Sequence, residues 1–232
     1  MSVKFISDLH FCHNNIIPYT IEATNEWRKN GYSVIEPLEK ISSIEAYDEY
    51  IINEWNKNVK DDDEIYILGD IILGNLNNGI EKCLARLNGK KHLIAGNHDK
   101  KIVYNPQLVS RLIKVGFVDE NISNYKTIIV NNTKIILCHF PIFSFEQGGF
   151  GAIHLFGHIH NIYNQNIIYY NVMKNMVVRS NRNSEGNFFE ARQEAYNVGT
   201  MCPWICYHPK TIEEIKNDFD IFMKGKSNER LY

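Results

Sequence analysis

Apolar residues follow one rhythm in the first half of the chain and another in the second. Early on, short apolar runs alternate with stretches of helical spacing. Val3-Lys4-Phe5-Ile6-Ser7, Glu64-Ile65-Tyr66-Ile67-Leu68 and His92-Leu93-Ile94-Ala95 read as strands, being short and rich in β-branched residues. Residues 14–30 carry Ile17, Ile21, Ala23 and Trp27 and are expected to be partly helical, with Pro18 tolerated near the start and Gly31 as a break. Residues 43–59 form the stronger candidate, since Ile44, Tyr47, Ile51, Trp55 and Val59 recur at helical intervals. Ser42 or Ser43 can cap its free amides, and Glu45 suits the positive end of the helix dipole. Shorter helices are expected at 80–87 and 108–115, the second closed by Gly116. Strands alternating with helices in this way predict an α/β architecture.

The second half is richer in strands. Residues 125–130 and 134–138 flank Asn131-Asn132-Thr133, a hairpin signal. Further strands are expected at 154–156, 167–172 and 176–178, and the polar run 179–186 reads as an exposed loop. The stretch 176–196 has two readings: a mobile surface insertion, or a lid in which Arg179, Arg182 and Arg192 approach an anion while Phe188 and Phe189 pack. Pro203-Trp204-Ile205 is expected to anchor the final helix, at 211–223, whose start pairs Thr211 with Glu214 as a capping box. No repeat or linker interrupts the chain, so residues 1–232 are expected to form one domain.

Composition narrows the classes. The 232 residues, with 44% hydrophobic and 22% charged, can build a substantial core. The formal net charge is −2, from 25 Lys and Arg against 27 Asp and Glu, which would repel an extended duplex. The opening residues lack the apolar stretch of a signal peptide, and no apolar run would span a bilayer, so a cytoplasmic protein is expected. Five cysteines form no disulfide framework, and Cys202 and Cys206 read as packing or surface thiols ahead of a soft-metal pair.

The chemistry lies where predicted strands end. Asp8-x-His10, Gly69-Asp70, Gly96-Asn97-His98-Asp99, His139 and Gly157-His158-x-His160 all occupy such positions. Loops at the carboxyl ends of strands are held by a rigid sheet and commonly assemble sites. One isolated histidine there would be structural more often than not; five clusters in compatible places reverse that expectation. Gly69, Gly96 and Gly157 are expected to make turns that aim the next side chain inward. Asp8 and Asp70 brought together would repel unless cations lay between them. Carboxylate and imidazole donors without a thiolate favour Mn, Fe or Zn.

These five blocks, in this order, resemble the calcineurin-like metallophosphoesterase family over roughly positions 3–160. The tail Asn197-Val198-Gly199, followed by Pro203 or Pro209 and Ile212-Glu213-Glu214-Ile215, is similar to the ending of compact bacterial or phage members. The resemblance implies a four-layer α/β/β/α sandwich with two mixed sheets, and two divalent or transition-metal ions. It assigns Asp8, His10 and His160 to the first ion, Asp70 as the bridge, and Asn97, His139 and His158 to the second. His98 would be the catalytic histidine, a non-ligand that protonates the leaving oxygen, and Asp99 would orient and polarise it. Asn97 and His98 would also contact phosphate. His13 stands as a substrate contact at the pocket rim, with a surface role as its equal. Lys100 and Lys101 read as solvated ahead of substrate-attracting, and His92, His154 and His208 as structural or exposed. The family often places an acid or arginine after Gly69-Asp70; Ile71-Ile72-Leu73-Gly74-Asn75 departs from this and weighs against protein-phosphatase specificity.

The implied reaction is direct in-line hydrolysis of a phosphoester by hydroxide held at the metals, on a small phosphodiester or nucleotide. The alternatives are a phosphomonoesterase or phosphoprotein phosphatase, a nuclease, and a non-catalytic metal-binding scaffold. The expected partner is a small phosphoester substrate. Nucleic acid is less favoured, and neither a membrane nor an obligate protein partner is indicated.

Overall fold

The computed structural model describes residues 1–182 and 184–225. The order is β1 (Val3–Ile6), α1 (Ile16–Lys29), α2 (Ile44–Asn58), β2 (Glu64–Ile67), the single turn α3 (Leu76–Asn78) and β3 (Lys90–Leu93). Then come α4 (Lys100–Val103), α5 (Pro106–Lys114), β4 (Tyr125–Val130), β5 (Thr133–Cys138) and β6 (Ile153–Phe156). The chain ends with α6 (Tyr163–Asn175), β7 (Val177–Arg182), β8 (Phe188–Arg192), β9 (Glu194–Asn197) and α7 (Ile212–Lys224). This is the mixed α/β architecture that the alternation predicts.

The first sheet runs β1-β2-β3, all parallel, with Phe5 opposite Tyr66 and Tyr66 opposite His92. β1 and β2 are buried along nearly their whole length, as parallel strands covered on both faces are. Phe5 adds an antiparallel bridge to Lys210. The second sheet runs β4-β5-β6-β9, antiparallel at the first pair and parallel at the other two. Asn131 and Asn132 both take left-handed backbone, φ 48° and 63°, so the hairpin turns on two residues and Thr133 belongs to β5.

The sheets meet where their strands end. Val198 accepts from Ser7 N at 2.8 Å and donates to Phe156 O at 2.7 Å, so the segment after β9 runs between the ends of β1 and β6. The loops that follow those two ends carry Asp8 and His158. One continuous apolar cluster joins residues of both sheets to α1, α2 and α7. At its C-terminal side Trp204 packs edge-on against Phe219 and Trp27, at 5.0 and 5.8 Å between ring centres, anchoring α7 as expected. Both indole N–H groups are satisfied, by Asn161 O for Trp27 and Asn197 O for Trp204. The capping box of Thr211 and Glu214 is formed.

Two expectations are corrected, and a third is refined. Residues 167–172 are not a strand but the middle of α6, where Asn166, Tyr169 and Met173 share a buried face at helical spacing. The β-branched and aromatic run concealed that period, and Asn166, whose side chain donates to His160 O and Ile162 O, supplied the polar position that broke the strand-like pattern. The short helix expected at 80–87 is present as a π-turn (Gly79–Cys83) followed by a 3-10 turn (Leu84–Arg86). The widened turn still buries Ile80, Cys83, Leu84 and Leu87, so the apolar pattern holds while the helix type differs. Residues 179–182 belong to β7, paired with β8, instead of to a loop. In that hairpin Arg179 lies over the Phe150 ring and Arg192 donates to Lys174 O. Asn183 and the Phe189 side chain, part of the lid reading, lie outside the described residues. No helix among the described residues is long and apolar enough to cross a membrane.

Candidate metal centre

Each strand of the two sheets that faces this end of the molecule delivers its polar cluster within a few residues of its last hydrogen bond. The loops then fasten to one another: Asp8 N donates to Gly69 O, His10 N to Asp70 O, and Gly157 N to His139 O, at 2.9–3.0 Å. Asp8, His10, Asp70, His158 and His160 all adopt left-handed backbone, with φ from 46° to 69°. Asp and His visit this region more readily than most residues, yet each placement costs about 1–2 kcal/mol. Five such residues gathered at one place are the signature of backbone strain held for a purpose.

The glycines act differently from the expectation. Only Gly69 of the three has positive φ, at 89°. Gly96 and Gly157 matter because they lack a Cβ: one at Gly157 would overlap Ser7 Oγ and Asp8 Oδ2, and one at Gly96 would overlap Asp70 Oδ1. They allow neighbouring loops to touch the carboxylates instead of turning the chain.

The donors fall into two sets, Asp8 with His10 and His160, and Asp8 with Asp70 and His139; within each set the ligand atoms lie within 4.8 Å of one another. Asp8 is common to both, whereas the family resemblance assigns the shared position to Asp70. His10 Nε2 and His160 Nε2 face each other at 3.1 Å and lie 3.8 and 3.5 Å from Asp8 Oδ1. His139 Nδ1 donates to Leu68 O at 2.7 Å, and its Nε2 faces Asp70 Oδ2, 3.4 Å away. Asn97 Oδ1 sits 2.9 Å from His139 Nε2 and 3.0 Å from His158 Nδ1. The sequence-derived ligand residues are therefore brought together.

The field at this point favours positive charge. Burial alone would lower the proton affinity of His139, but its bond to Asp70 and the charges of Asp8 and Asp70 outweigh that and raise its pKa to about 9. Burial alone would raise Asp8, yet its bond to His10 and the nearby histidines hold it well below the carboxylate range. The buried His10 Nδ1 has no hydrogen-bond partner among the described residues. Oxygen and imidazole donors converging on two carboxylates fit hard or borderline divalent cations.

His98 points its ring into the cleft, 44% exposed, with Nε2 3.9 Å from Asp70 Oδ2 and its backbone N–H donating to Asp70 Oδ1. The contacts of Asp99, which the resemblance has orienting this ring, are with backbone. Asp99 is fully buried, and its carboxylate accepts from the backbone N–H groups of Asp70, Gly96 and Ile71 at 2.8, 2.8 and 3.1 Å. Those three bonds engage both carboxylate oxygens, and burial raises its pKa. Asp99 thus ties the loop after β2 to the loop after β3. His13 is half-buried on the cleft wall, its ring 5.4 Å from that of His10, and burial together with His10, His160 and His98 lowers its pKa to about 4.

The cleft has a volume of about 510 Å³. Beyond the metal donors its wall is made by α1, through Ile16, Tyr19, Glu22 and Ala23, and by the start of α6, through Ile162 and Tyr163. Sequence reading assigned no function to this wall. Its trace was the stripe Tyr19, Ala23, Glu26 on one helix face, which looks like any solvated helix. Lys100 and Lys101 are exposed at the start of α4 and do not line the cleft; neither do Arg179, Arg182 and Arg192. Cys202 is buried with Sγ 3.3 Å from His160 O while Cys206 is exposed, so the two read as packing and surface thiols. Asn197 and Asn166 both donate to His160 O and hold that strained residue.

His154 is structural, as expected. Fully buried behind the site, it accepts from Ile142 N and faces Ile136 O and Phe140 O, and burial lowers its pKa from 6.5 to about 4. The unfolded chain therefore binds the extra proton between those two values. Stability is fully present above pH 6.5 and falls as the pH drops toward 4, by about 3 kcal/mol in full. His154→Gln should show a shallower acid decline than the parent in urea midpoints measured from pH 7 to pH 4; an unchanged slope would refute this. His92 bonds Asp119 and His208 bonds Cys206 O, both away from the cleft.

The profile of the family described as calcineurin-like phosphoesterase matches residues 1–176, which include every candidate ligand and His98. The chain is 35% identical over 99 residues to the uncharacterized protein MJ1445 of Methanocaldococcus jannaschii, a match covering 42% of this chain and 47% of that one. It is 27% identical over 146 residues to the Gene 66 protein of Mycobacterium phage L5, covering 59% of this chain and 62% of that one. The chain thus spans less than two thirds of the length of these curated relatives. The crystal structure of AQ665 from Aquifex aeolicus, titled as a protein of unknown function, superposes with a TM-score of 0.54 at 20% identity, covering 94% of this chain and 99% of that one. That likeness concerns the fold. With the family profile spanning most of the sequence and its ligand clusters meeting in one cleft, the chain belongs to the calcineurin-like phosphoesterase family of metal-dependent hydrolases.

Proposed function

We propose that this chain, as one metallophosphoesterase domain, hydrolyses a small phosphodiester or nucleotide with the help of two divalent cations. The observation that carries the proposal is the meeting of Asp8, Asp70 and the imidazoles of His10, His139 and His160 at one end of the cleft. Asp8, His10 and His160 would hold one cation and Asn97, His139 and His158 the other, with Asp70 shared. Mn, Fe and Zn suit these donors best. When bound, the cations would supply Lewis-acid polarisation of the phosphoryl group and a lowered proton affinity for water.

The remaining work falls to the chain itself. With its Oδ1 facing His139 and His158, Asn97 keeps its Nδ2 hydrogens for a phosphoryl oxygen. His98, exposed to the cleft, donates a proton to the departing oxygen from its imidazole. His13 lies on the same wall and contacts the ester group. Asp99 keeps the loops of Asp70 and Asn97 in register through three backbone bonds. A cleft of about 510 Å³ suits a small ligand, and among the described residues its lining includes no Lys or Arg to follow a polyanion. Both features favour a small ester over nucleic acid.

The test uses protein stripped of metal and reloaded separately with Mn, Fe, Zn or Mg, assayed on matched aryl phosphomonoester and phosphodiester substrates. Metal-restored diester turnover is the expected result. Preference for the monoester would move the reading to a phosphatase. Stoichiometric metal without turnover on either would replace it with a metal-binding scaffold.

A further inference from the structure

A second cluster of metal-ligating side chains lies on the other side of the loop that carries His10. Cys12 follows that loop, Asp48 projects from α2, and Cys83 closes the π-turn; their ligand atoms lie within 4.8 Å of one another. Asp48 and Cys83 are buried, at 8% and 3% exposure. Both Asp48 oxygens accept from Cys12 N at 3.2 Å, and the Cys83 thiol donates to Oδ2 at 3.6 Å. The group opens on its own cleft of about 360 Å³, which shares no lining residue with the first. Cys12 has φ 61°, a conformation that cysteine does not favour, and the loop is pinned because Gly74 packs on the Cys12 carbonyl with no space for a Cβ.

We propose that Cys12, Asp48 and Cys83 form a separate site for one soft or borderline divalent cation, with zinc the best match. Two thiolates and one carboxylate are a donor set for zinc or cadmium, unlike the oxygen and imidazole set of the first centre. Glu45, on the cleft wall, or a water completes the coordination. Binding exchanges the two thiol protons for the ion, and they leave to solvent. The ion also offsets the cost of burying the Asp48 charge, a cost that raises that carboxyl to about 6. Since Cys12 lies between His10 and His13, an ion here fastens their loop to α2. The site is independent of the proposed phosphoester chemistry.

The test uses the reduced full chain with zinc or cadmium alone as probe. Wild type should show sulfur-to-cadmium charge-transfer absorption in the ultraviolet and bind one more zinc equivalent than Cys83→Ser. Cys206→Ser, which removes the exposed thiol, should keep both signals. Asp48→Asn, which removes the charge and keeps an acceptor for Cys12 N, should weaken this one zinc by about tenfold or more. Cys83→Ser should retain the metals of the first centre, counted by mass spectrometry of the native protein. The proposal is overturned if wild type lacks the absorption, or if Cys83→Ser retains both the band and the zinc count. If Cys83→Ser does not fold, Asp48→Asn decides the matter: unchanged zinc affinity there overturns it equally.

Discussion

His98→Ala should leave the metals of the first centre bound and lower kcat by roughly a hundredfold to ten-thousandfold, the range in which a positioned general acid contributes. The ring is 44% exposed to the cleft and stands 3.9 Å from the nearest Asp70 oxygen. Its backbone N–H, which alanine keeps, makes the bond to Asp70 Oδ1. The substitution therefore removes the proton donor and preserves the loop. Metal content measured beside kcat separates the outcomes. The loss should shrink for aryl esters with weakly basic leaving groups, which need less protonation as they depart. Loss of metal from His98→Ala would show instead that the imidazole is a ligand, and the role assigned to it would fall.

Asp99→Ala should act through stability. The change strands three buried backbone donors, on Asp70, Ile71 and Gly96, each of which costs about 1–3 kcal/mol when left unpaired. A loss of roughly 3 kcal/mol or more is expected, together with weaker metal binding, because Asp70 and the Gly96-Asn97 loop lose their common tie. Urea unfolding gives the first quantity and metal titration the second. A residue that merely oriented His98 would leave the unfolding midpoint in place, and its effect on kcat would vanish once His98 was already alanine. That pair of results would restore the orienting role and remove the one argued from these contacts.

The two residues differ in how far they could be read from sequence. His98 and Asp99 are neighbours in one short block, and the family resemblance pairs them in function. Successive side chains on a tight loop point in different directions, however. Asp99 is buried and bonds the backbone of the loop after β2, while His98 is exposed to the cleft. Similarly, 167–172 carries enough β-branched and aromatic residues to look like a strand, and only the burial of Asn166, Tyr169 and Met173 on one face selects the helix. Local propensity is small beside the burial of a helix face. The glycines of the site teach the same point. A conformational role is visible from residue type, but the reason Gly96 and Gly157 lack a side chain is a carboxylate arriving from another strand.

By itself the sequence determined the alternating α/β order, the ends of β1, β2 and β6 as places for polar loops, the helices α2 and α7 with their caps, and the presence of carboxylate and imidazole groups in those loops. All of these follow from short-range periodicity and side-chain chemistry, which the chain carries in its own order. Tertiary structure alone decided that Asp8 stands in both donor sets, that Asn97 Oδ1 faces His139 and His158, and that α1 forms the wall of the cleft. It also brought Cys12, Asp48 and Cys83 together from three segments that no motif connects. Distances between residues far apart in sequence depend on how the two sheets meet at Ser7, Val198 and Phe156, and that meeting is set by packing of the whole core.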